Sequence, residues 1–367
     1  MLTQTMAERA LVSAGDAARL QRALARARRG EPITVGVIGG SITQGARASK
    51  PELNYGSLVA AWWRQAYPAA PVTFRNAGIG ATGSNLGAHR VQKDLLAYIP
   101  DVVVVEYAVN DSADQAAAET LEGLLRQILK HPKAPAVVML FTMHRNGGNA
   151  QEWHGKVGAH YAVPMVSLRD AAWPEIAAGR LKWEEIEADE VHPNDAGHRL
   201  CADLVIRVLE TVRASLPTDA ALAPIPPLPA PLLTDLYEYA RLFTAKDLTP
   251  LSNQGWTELA KGPFGPGWRS EVPGSVLEFE LPGQAFTLVF HRIKRDMGRV
   301  AVSVDGGVPT THEAWFNADW GGYSAAGVLP RCALAGPHRI RVELLAEKAP
   351  ESKGNLFEIQ AILAAGK

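Results

Sequence analysis

Short apolar runs rich in β-branched residues alternate with helical patterns between residues 16 and 214, and this alternation constrains the fold most strongly. The run at residues 101–107 includes four consecutive valines and is typical of a central parallel strand. The predicted strands are residues 33–38, 72–76, 101–107, 136–141 and 163–166. The predicted helices are residues 16–29, 55–66, 86–98, 114–131, 152–161 and 195–214. This alternation predicts a parallel sheet covered on both faces, which is an α/β fold.

The composition changes after residue 216, and a different structure is predicted for the rest of the chain. Residues 217–249 are interpreted as a linker with a short helix around 232–243, because six prolines stand between residues 217 and 231. From residue 250, short strand patterns with Gly and Pro turns predict an all-β sandwich of jelly-roll type. Its predicted strands are residues 275–281, 286–292, 300–305, 338–345 and 356–363. The expected domains are therefore residues 1–216 and 250–367.

Charge and composition exclude several classes of protein. The net charge is −1 and offers no electrostatic attraction for nucleic acid or for an anionic membrane. No run of about 18 apolar residues predicts a membrane span. The N-terminal residues lack the basic start and apolar core of a signal peptide, so a cytoplasmic location is expected. The two cysteines, Cys201 and Cys332, are expected to be buried free thiols.

The first predicted strand ends abruptly at Gly39, Gly40 and Ser41. The two glycines let the backbone turn sharply and leave little bulk around the serine. A side chain just beyond the carboxyl end of a buried parallel strand stands where open α/β sheets bind their ligands. Ser41 is therefore a candidate nucleophile, although a serine at this place can also cap the next helix.

A nucleophilic serine requires a base, and the base requires an acid that orients it. Asp189 and His192 stand three residues apart, which predicts that both side chains lie on the same side of a tight loop. This order of serine, acid and base, with the last two so close, differs from the α/β-hydrolase arrangement. The nucleophile-elbow pattern G-x-S-x-G is also absent, because residue 43 is Thr.

Acyl transfer also requires donors that face the developing oxyanion. Residues 76–83 end the second strand and contain several small residues, so their amides are exposed. Asn110 follows the third strand and offers a side-chain amide. Both stretches lie at carboxyl ends of strands, which predicts that they share an edge of the sheet with Ser41.

The sequences Gly-Gly-Ser-Ile-Thr, Asn-Ala-Gly-Ile-Gly-Ala, Val-Asn-Asp and Asp-Glu-Val-His, in this order over residues 39–192, resemble the four blocks of the SGNH/GDSL hydrolase family. The resemblance covers about residues 30–215. It implies a flavodoxin-like three-layer α/β/α domain and hydrolysis of esters, often O-acetyl groups on carbohydrates. It also implies Ser41 as the nucleophile, His192 as the general base, Asp189 as the orienting acid and Asn110 as an oxyanion donor.

Three positions depart from the family pattern. Gly40 stands where many members have Asp, and Val109 stands where Gly is usual. Counting from Asn76 puts Ala81 where the family has its oxyanion glycine, with Gly80 one residue earlier. An alanine still offers its amide if its φ is negative. Both Gly80 and Ala81 are therefore retained as oxyanion donors.

Two other functional classes compete with an esterase. Residues 78–83 read G-x-G-x-x-G after a strand, with Glu106 at about the distance expected for a dinucleotide-binding site, which would make the protein an NAD-binding oxidoreductase. That interpretation leaves Ser41 and the acid–base pair unexplained. A binding protein that keeps the fold without the chemistry is the second alternative. No cluster of His, Cys and Asp has the spacing of a metal site, so neither a metal nor another cofactor is expected.

Further residues are candidate substrate contacts. Gly40 and Asp111 adjoin the predicted catalytic groups, and the loop with His144 and Asn149 either lines the substrate pocket or is a solvated loop. Four aromatic residues of the β domain are expected to pack in the core or between domains, with sugar stacking as the alternative: Trp315, Phe316, Trp320 and Tyr323.

The expected activity is hydrolysis of O-acetyl or other short-chain esters through an acyl-serine, with an acetylated carbohydrate as the preferred substrate. Because this preference rests on a likeness of fold and domain pairing, it is an analogy. A general short-chain esterase and a lysophospholipase are the alternatives within the same class. The oligomeric state is left open, and a homo-oligomer is compatible with the sequence.

Overall fold

Two units make up the chain in the computed structural model, which describes residues 2–367. The first unit extends to Thr234, and the second covers Asp235–Lys367. This division falls inside the predicted linker. Within the described residues, no helix has both the length and the apolar character needed to cross a bilayer.

Helices and strands alternate along the first unit as predicted. Its helices are α1 (Gln4–Ala10), α2 (Ala18–Arg28), α3 (Ser41–Gln44), α4 (Tyr55–Ala66), α5 (Ser84–Asp94), α6 (Gln115–Lys130), α7 (Gln151–His160), α8 (Leu168–Ala177), α9 (Trp183–Ile186) and α10 (Asp195–Ala214). Its strands are β1 (Leu11–Ser13), β2 (Ile33–Gly39), β3 (Val72–Gly78), β4 (Val102–Glu106), β5 (Ala136–Phe141) and β6 (Met165–Ser167). Helix α8 was not predicted, because Pro174 lies inside it and a proline usually ends a helix.

The six strands form one sheet in the order β1-β6-β5-β4-β2-β3. Strands β2 to β6 are parallel, and only the edge strand β1 is antiparallel, so the predicted parallel sheet is a mixed one. The parallel strands alone follow the flavodoxin-like order 2-1-3-4-5, which confirms the predicted fold class. The strand order reverses between β2 and β4, and the crevice at their carboxyl ends is where such sheets bind ligands.

The end of the Pro-rich segment is held against the first unit, since Nη1 of Arg126 donates to the carbonyl of Pro229 at 3.0 Å. The buried carboxylate of Glu122 accepts hydrogen bonds from the amides of Leu233 and Thr234, each at 2.9 Å. The helix predicted around residues 232–243 is wrong. A 3₁₀ turn at Leu236–Tyr239 is followed by strand β7 (Arg241–Phe243), because β7 pairs with the last strand of the chain.

The second unit is an antiparallel two-sheet structure, as predicted. Its remaining strands are β8 (Ser252–Gln254), β9 (Thr257–Leu259), β10 (Gly267–Ser270), β11 (Val276–Gly283), β12 (Ala285–Arg292), β13 (Arg299–Val304), β14 (Thr310–Glu313), β15 (Tyr323–Val328), β16 (Gly336–Leu344) and β17 (Phe357–Ala365). One sheet has the order β15-β12-β17-β10-β9, with β7 also on β17, and the other has the order β14-β13-β16-β11-β8. Buried Phe279 and Phe286 come from different sheets and belong to one core.

The aromatic residues of the second unit differ in burial. Trp315, Phe316 and Tyr323 are partly buried. Trp320 exposes 62% of its surface, so a place in the core is wrong for this residue. Its ring centroid lies 5.3 Å from that of Phe316 and 5.6 Å from that of Tyr323.

Candidate active site

Ser41 is the first residue of α3, directly after β2. The helix is capped by Gly40, so the interpretation of Ser41 as a helix cap is wrong. The Oγ atom of Ser41 lies 2.9 Å from Nε2 of His192. This distance permits direct transfer of the serine proton to the imidazole.

His192 and Asp189 lie in a tight loop between α9 and α10. A β-bridge between Glu187 and Pro193 closes the loop, and Asn194 caps α10 immediately afterwards. Nδ1 of His192 is 2.9 Å from both carboxylate oxygens of Asp189. The spacing of three therefore brings acid and base into contact, and the carboxylate holds the imidazole with its proton on Nδ1.

The carboxylate of Asp189 is held in its ionised form. Burial raises its pKa, but hydrogen bonds from the His192 ring, from the amides of His192 and Val191, and from Arg47 outweigh burial and lower the pKa. Nε of Arg47 is 2.9 Å from Oδ2 of Asp189. Asp189 thus carries a full negative charge in the pH range in which an imidazole acts as a base.

A second acid, Glu187 at the start of this loop, stays neutral. Glu187 is 3% exposed, and neither of its carboxyl oxygens has a hydrogen-bond partner among the described residues. Burial, together with the nearby charge of Asp189, raises the pKa of Glu187 to about 9. Glu187 is therefore protonated at neutral pH and does not compete with Asp189 for the charge of an imidazolium.

Asn110 lies at the turn that follows β4, with its side chain against Gly40, the residue before Ser41. Its backbone amide donates to the carbonyl of Tyr107 at 3.0 Å, which fixes the turn. Its Oδ1 is buried against Gly40 and has no donor among residues 2–367, whereas Nδ2 is not buried and donates to no acceptor in that part of the chain. The Nδ2 hydrogens are thus free to face a substrate oxygen.

The two backbone candidates for the oxyanion site differ in their contacts. The amide of Gly80 donates to Oε1 of the exposed Gln44 at 2.9 Å. Ala81 has φ +56°, so the condition of a negative φ at this alanine is not met. A left-handed alanine costs about 1–2 kcal/mol. The Ala81 amide donates to no acceptor within residues 2–367. The amide of Ser41, at the first helical position, also has no intrahelical acceptor.

Known proteins share both the motifs and the whole architecture. The profile of the GDSL-like Lipase/Acylhydrolase family matches residues 37–200. A solved structure of a two-domain esterase (CEX) active on acetylated mannans is 31% identical, with a TM-score of 0.91, and the match covers 98% of each chain. The chain belongs to the GDSL-like lipase/acylhydrolase family.

A second solved structure supports the same assignment. It is the two-domain esterase (CEX) active on acetylated mannans co-crystallised with mannopentaose, at 30% identity and a TM-score of 0.91, and the match covers 100% of this chain and 99% of that one. No curated protein matches the chain by sequence. The predicted resemblance is confirmed, and the protein is a carboxylic ester hydrolase.

Asp111 of this GDSL-like esterase is a structural residue rather than a substrate contact. Its side chain is 4% exposed, its Oδ1 accepts from the amide of Ser84 at 2.7 Å, and its Oδ2 lies 3.1 Å from Nε2 of His154. A Cβ atom on Gly83 would overlap Oδ1 of Asp111, which explains a glycine there. Asp111 therefore ties the turn with Asn110 to the start of α5 through Ser84 and to α7 through His154.

This arrangement also excludes the dinucleotide-binding interpretation of residues 78–83. A carboxylate of the protein occupies the N-terminus of α5, where a pyrophosphate would bind. Glu106 is fully buried and accepts hydrogen bonds from Thr142 and Thr43, so it cannot reach a ribose.

The remaining predicted contacts are mostly engaged within the protein. Gly40 is buried against Asn110, so it does not line a pocket. Nδ2 of Asn149 donates to the carbonyl of Thr142 at 2.6 Å, and its Oδ1 accepts from Arg169. His144 is half-buried, with Nε2 3.1 Å from the carbonyl of Val109. Asn149 and His144 thus support the loops of the site, and Gly40 provides space for Asn110.

Three residues near the site were not predicted: Gln44, Arg47 and His154. Gln44 ends α3 and Arg47 lies in the polar loop after it, and nothing in the sequence distinguishes them from solvated residues. His154 is in α7, 43 residues after its partner Asp111. Their roles depend on distances that a linear sequence does not contain.

Replacing Gly40 with alanine should disable Asn110. The new Cβ would lie 2.7 Å from Cγ of Asn110 and would overlap its Oδ1, so the side chain must move away from the nucleophile. Loss of one oxyanion donor costs about 10²–10³ in kcat, and we expect Gly40→Ala to cause a loss of this size on p-nitrophenyl acetate. In an Asn110→Ala background, which vacates the space, the same change should cost much less.

The wild-type protein, Gly40→Ala, Asn110→Ala and the double variant form a double-mutant cycle. The cycle separates an effect on Asn110 from a general loss of packing. Gly155→Ala is the matched control, because nothing lies within 4 Å of a Cβ at that helical position. It should retain full kcat. Additive effects of Gly40→Ala and Asn110→Ala would show that Gly40 does not act through Asn110.

Proposed function

We propose that this esterase removes O-acetyl groups from carbohydrates through an acyl-serine, with acetylated manno-oligosaccharides as its substrate class. The contact of Ser41 with His192, which is held in turn by Asp189, carries the proposal for the chemistry. The proposal for the substrate is supported by the similarity to an esterase active on acetylated mannans, since that match extends over both units.

The first step is attack by Ser41 on the ester carbonyl. Nε2 of His192 accepts the serine proton as the Oγ–carbon bond forms, and the charge of Asp189 stabilises the imidazolium. The oxyanion receives hydrogen bonds from Nδ2 of Asn110 and from the amides of Ser41 and Ala81. Ala81 is the preferred backbone donor, because the amide of Gly80 is already bonded to Gln44.

The second half of the reaction returns the proton. The imidazolium of His192 donates it to the departing sugar hydroxyl, and an acetyl ester remains on Ser41. Water then takes the place of the sugar, gives a proton to His192 and attacks the acyl carbon. His192 returns that proton to Oγ of Ser41 as the bond between Oγ and the acyl carbon breaks and acetate leaves. Apart from water and the ester itself, the proposal assigns these steps to groups of the protein chain.

The test is acetate release from acetylated manno-oligosaccharides and xylo-oligosaccharides, measured beside p-nitrophenyl acetate and p-nitrophenyl octanoate. Ser41→Ala serves as the blank. We expect rapid acetate release from the manno-oligosaccharide, slower release from the xylo-oligosaccharide and poor turnover of the octanoate. Mass spectrometry of the products would show which acetylated sugar is consumed.

Two results would change the proposal. Octanoate hydrolysed faster than acetate would indicate a general or lysophospholipase-type esterase. Turnover of p-nitrophenyl acetate without any acetate from either oligosaccharide would retain the serine chemistry and reject the carbohydrate substrate.

A further inference from the structure

Three side chains with metal-ligating atoms, from three different segments of the second unit, lie close together. Asp305 follows β13, Cys332 lies in the loop after β15, and His338 belongs to β16. One ligand atom from each lies within 4.8 Å of the other two. Among residues 2–367, no other group of three such side chains meets this distance.

The carboxylate and the imidazole are each oriented by a second contact. Oδ1 of Asp305 accepts from the amide of Arg339 at 2.8 Å, which turns Oδ2 towards His338. Nδ1 of His338 is 2.6 Å from that Oδ2, and its Nε2 is 3.0 Å from the carbonyl of Leu334. A ligating histidine usually donates its other ring N–H to such a carbonyl, so Nδ1 is the nitrogen available to a metal.

The third side chain supplies a sulfur atom. The amide of Cys332 donates to the carbonyl of Gln284 at 2.8 Å, which fixes the loop on β12. Cys332 is half-exposed rather than buried, so the expectation of a buried thiol is wrong for it. The side chain of Asp305 is 51% exposed, and solvent thus reaches the space between the three groups.

We propose that Asp305, Cys332 and His338 form a binding site for a divalent transition metal of the zinc class, with water in the open position. One thiolate, one imidazole and one carboxylate suit zinc better than magnesium or calcium. Tetrahedral bonds of about 2.0–2.3 Å separate ligand atoms by about 3.3–3.6 Å. The 2.6 Å contact between Asp305 and His338 must therefore widen by less than about 1 Å, which the exposed carboxylate permits.

Binding displaces protons from two of the ligands. Burial and the nearby charge of Asp305 raise the pKa of Cys332, so the thiol is protonated without metal. The hydrogen bond to Asp305 raises the pKa of His338. The metal replaces the thiol proton and the Nδ1 proton, and both go to solvent.

The metal would link two loops of the second unit, the turn after β13 and the loop that precedes β16. Binding then stabilises the folded form, because the unfolded chain lacks the site. The groups proposed for ester hydrolysis lie in the other unit. The metal proposal therefore stands or falls separately from the proposed function.

Cobalt is the probe, because a thiolate bound to Co²⁺ gives an intense charge-transfer absorption that nitrogen and oxygen ligands do not. The full chain is titrated with Co²⁺ under reducing conditions and then with Zn²⁺. We expect one equivalent of Co²⁺ to produce the absorption and Zn²⁺ to abolish it. Cys332→Ser should eliminate the absorption, while Asp305→Asn and His338→Gln should weaken Co²⁺ binding at least about tenfold.

His291→Gln is the matched control. Nδ1 of His291 lies 3.0 Å from the carboxylate of Glu358 in the same unit, but this pair belongs to no group of three ligating side chains among the described residues. It should leave the titration unchanged. Asp305→Asn keeps the acceptor for the Arg339 amide and tolerates the left-handed φ of +51°, so it tests the site if another variant fails to fold. Absence of the absorption at excess Co²⁺, or its persistence in Cys332→Ser, would overturn the proposal.

Discussion

Ser41→Ala is expected to lower kcat on p-nitrophenyl acetate by about 10⁴- to 10⁶-fold, with the fold unchanged. The only atom removed is the Oγ that lies 2.9 Å from Nε2 of His192. The helix start is unaffected, because Gly40 and not Ser41 caps α3. The residual rate should come from the oxyanion donors and the bound ester alone.

The measurement combines steady-state rates with covalent labelling. A fluorophosphonate should modify the wild-type protein once, on the peptide that contains Ser41, and should not modify Ser41→Ala. Ser215→Ala, at the far end of α10, is the matched control and should keep full activity and labelling. Retention of more than a few per cent of the rate by Ser41→Ala would place the nucleophile elsewhere.

Asp189→Asn is expected to lower kcat by about 10³- to 10⁴-fold with little change in KM. The new side chain can keep its oxygen towards the backbone amides of Val191 and His192. Its Nδ2 then takes the place of Oδ2, which faces the imidazole and Arg47. Nδ1 of His192 would then lie near the donor Nδ2 as well as near Oδ1, so the tautomer with its proton on Nε2 gains population. That tautomer cannot accept the proton of Ser41, and the charge that stabilises the imidazolium is lost.

Rates with p-nitrophenyl acetate across pH test this expectation. Glu190→Gln is the matched control, because it removes a carboxylate one residue away whose side chain is 76% exposed and pairs with Arg145. It should have nearly the wild-type rate. Equal losses in Asp189→Asn and Glu190→Gln would indicate a general electrostatic effect on the loop rather than orientation of His192.

Much of the first unit could be predicted because its signals are local. The valines over residues 102–105 are buried on both faces of the sheet, and the strand is found there. Ser41, Asn110 and Asp189 follow strands or begin tight loops, where residue type and spacing report the backbone directly. The antiparallel edge strand β1 was missed, since three residues carry no usable periodicity.

The fold class and the pairing of Asp189 with His192 could be predicted from the residues alone, because the alternation of elements and a spacing of three are properties of neighbouring residues. Which polar side chains turn outward or inward at the candidate site depends on the packing of distant elements. Asp111 is adjacent to Asn110, yet the distant His154 and Ser84 turn it inward. Contacts between residues far apart in the chain depend on how the elements pack, and packing is set by the whole molecule.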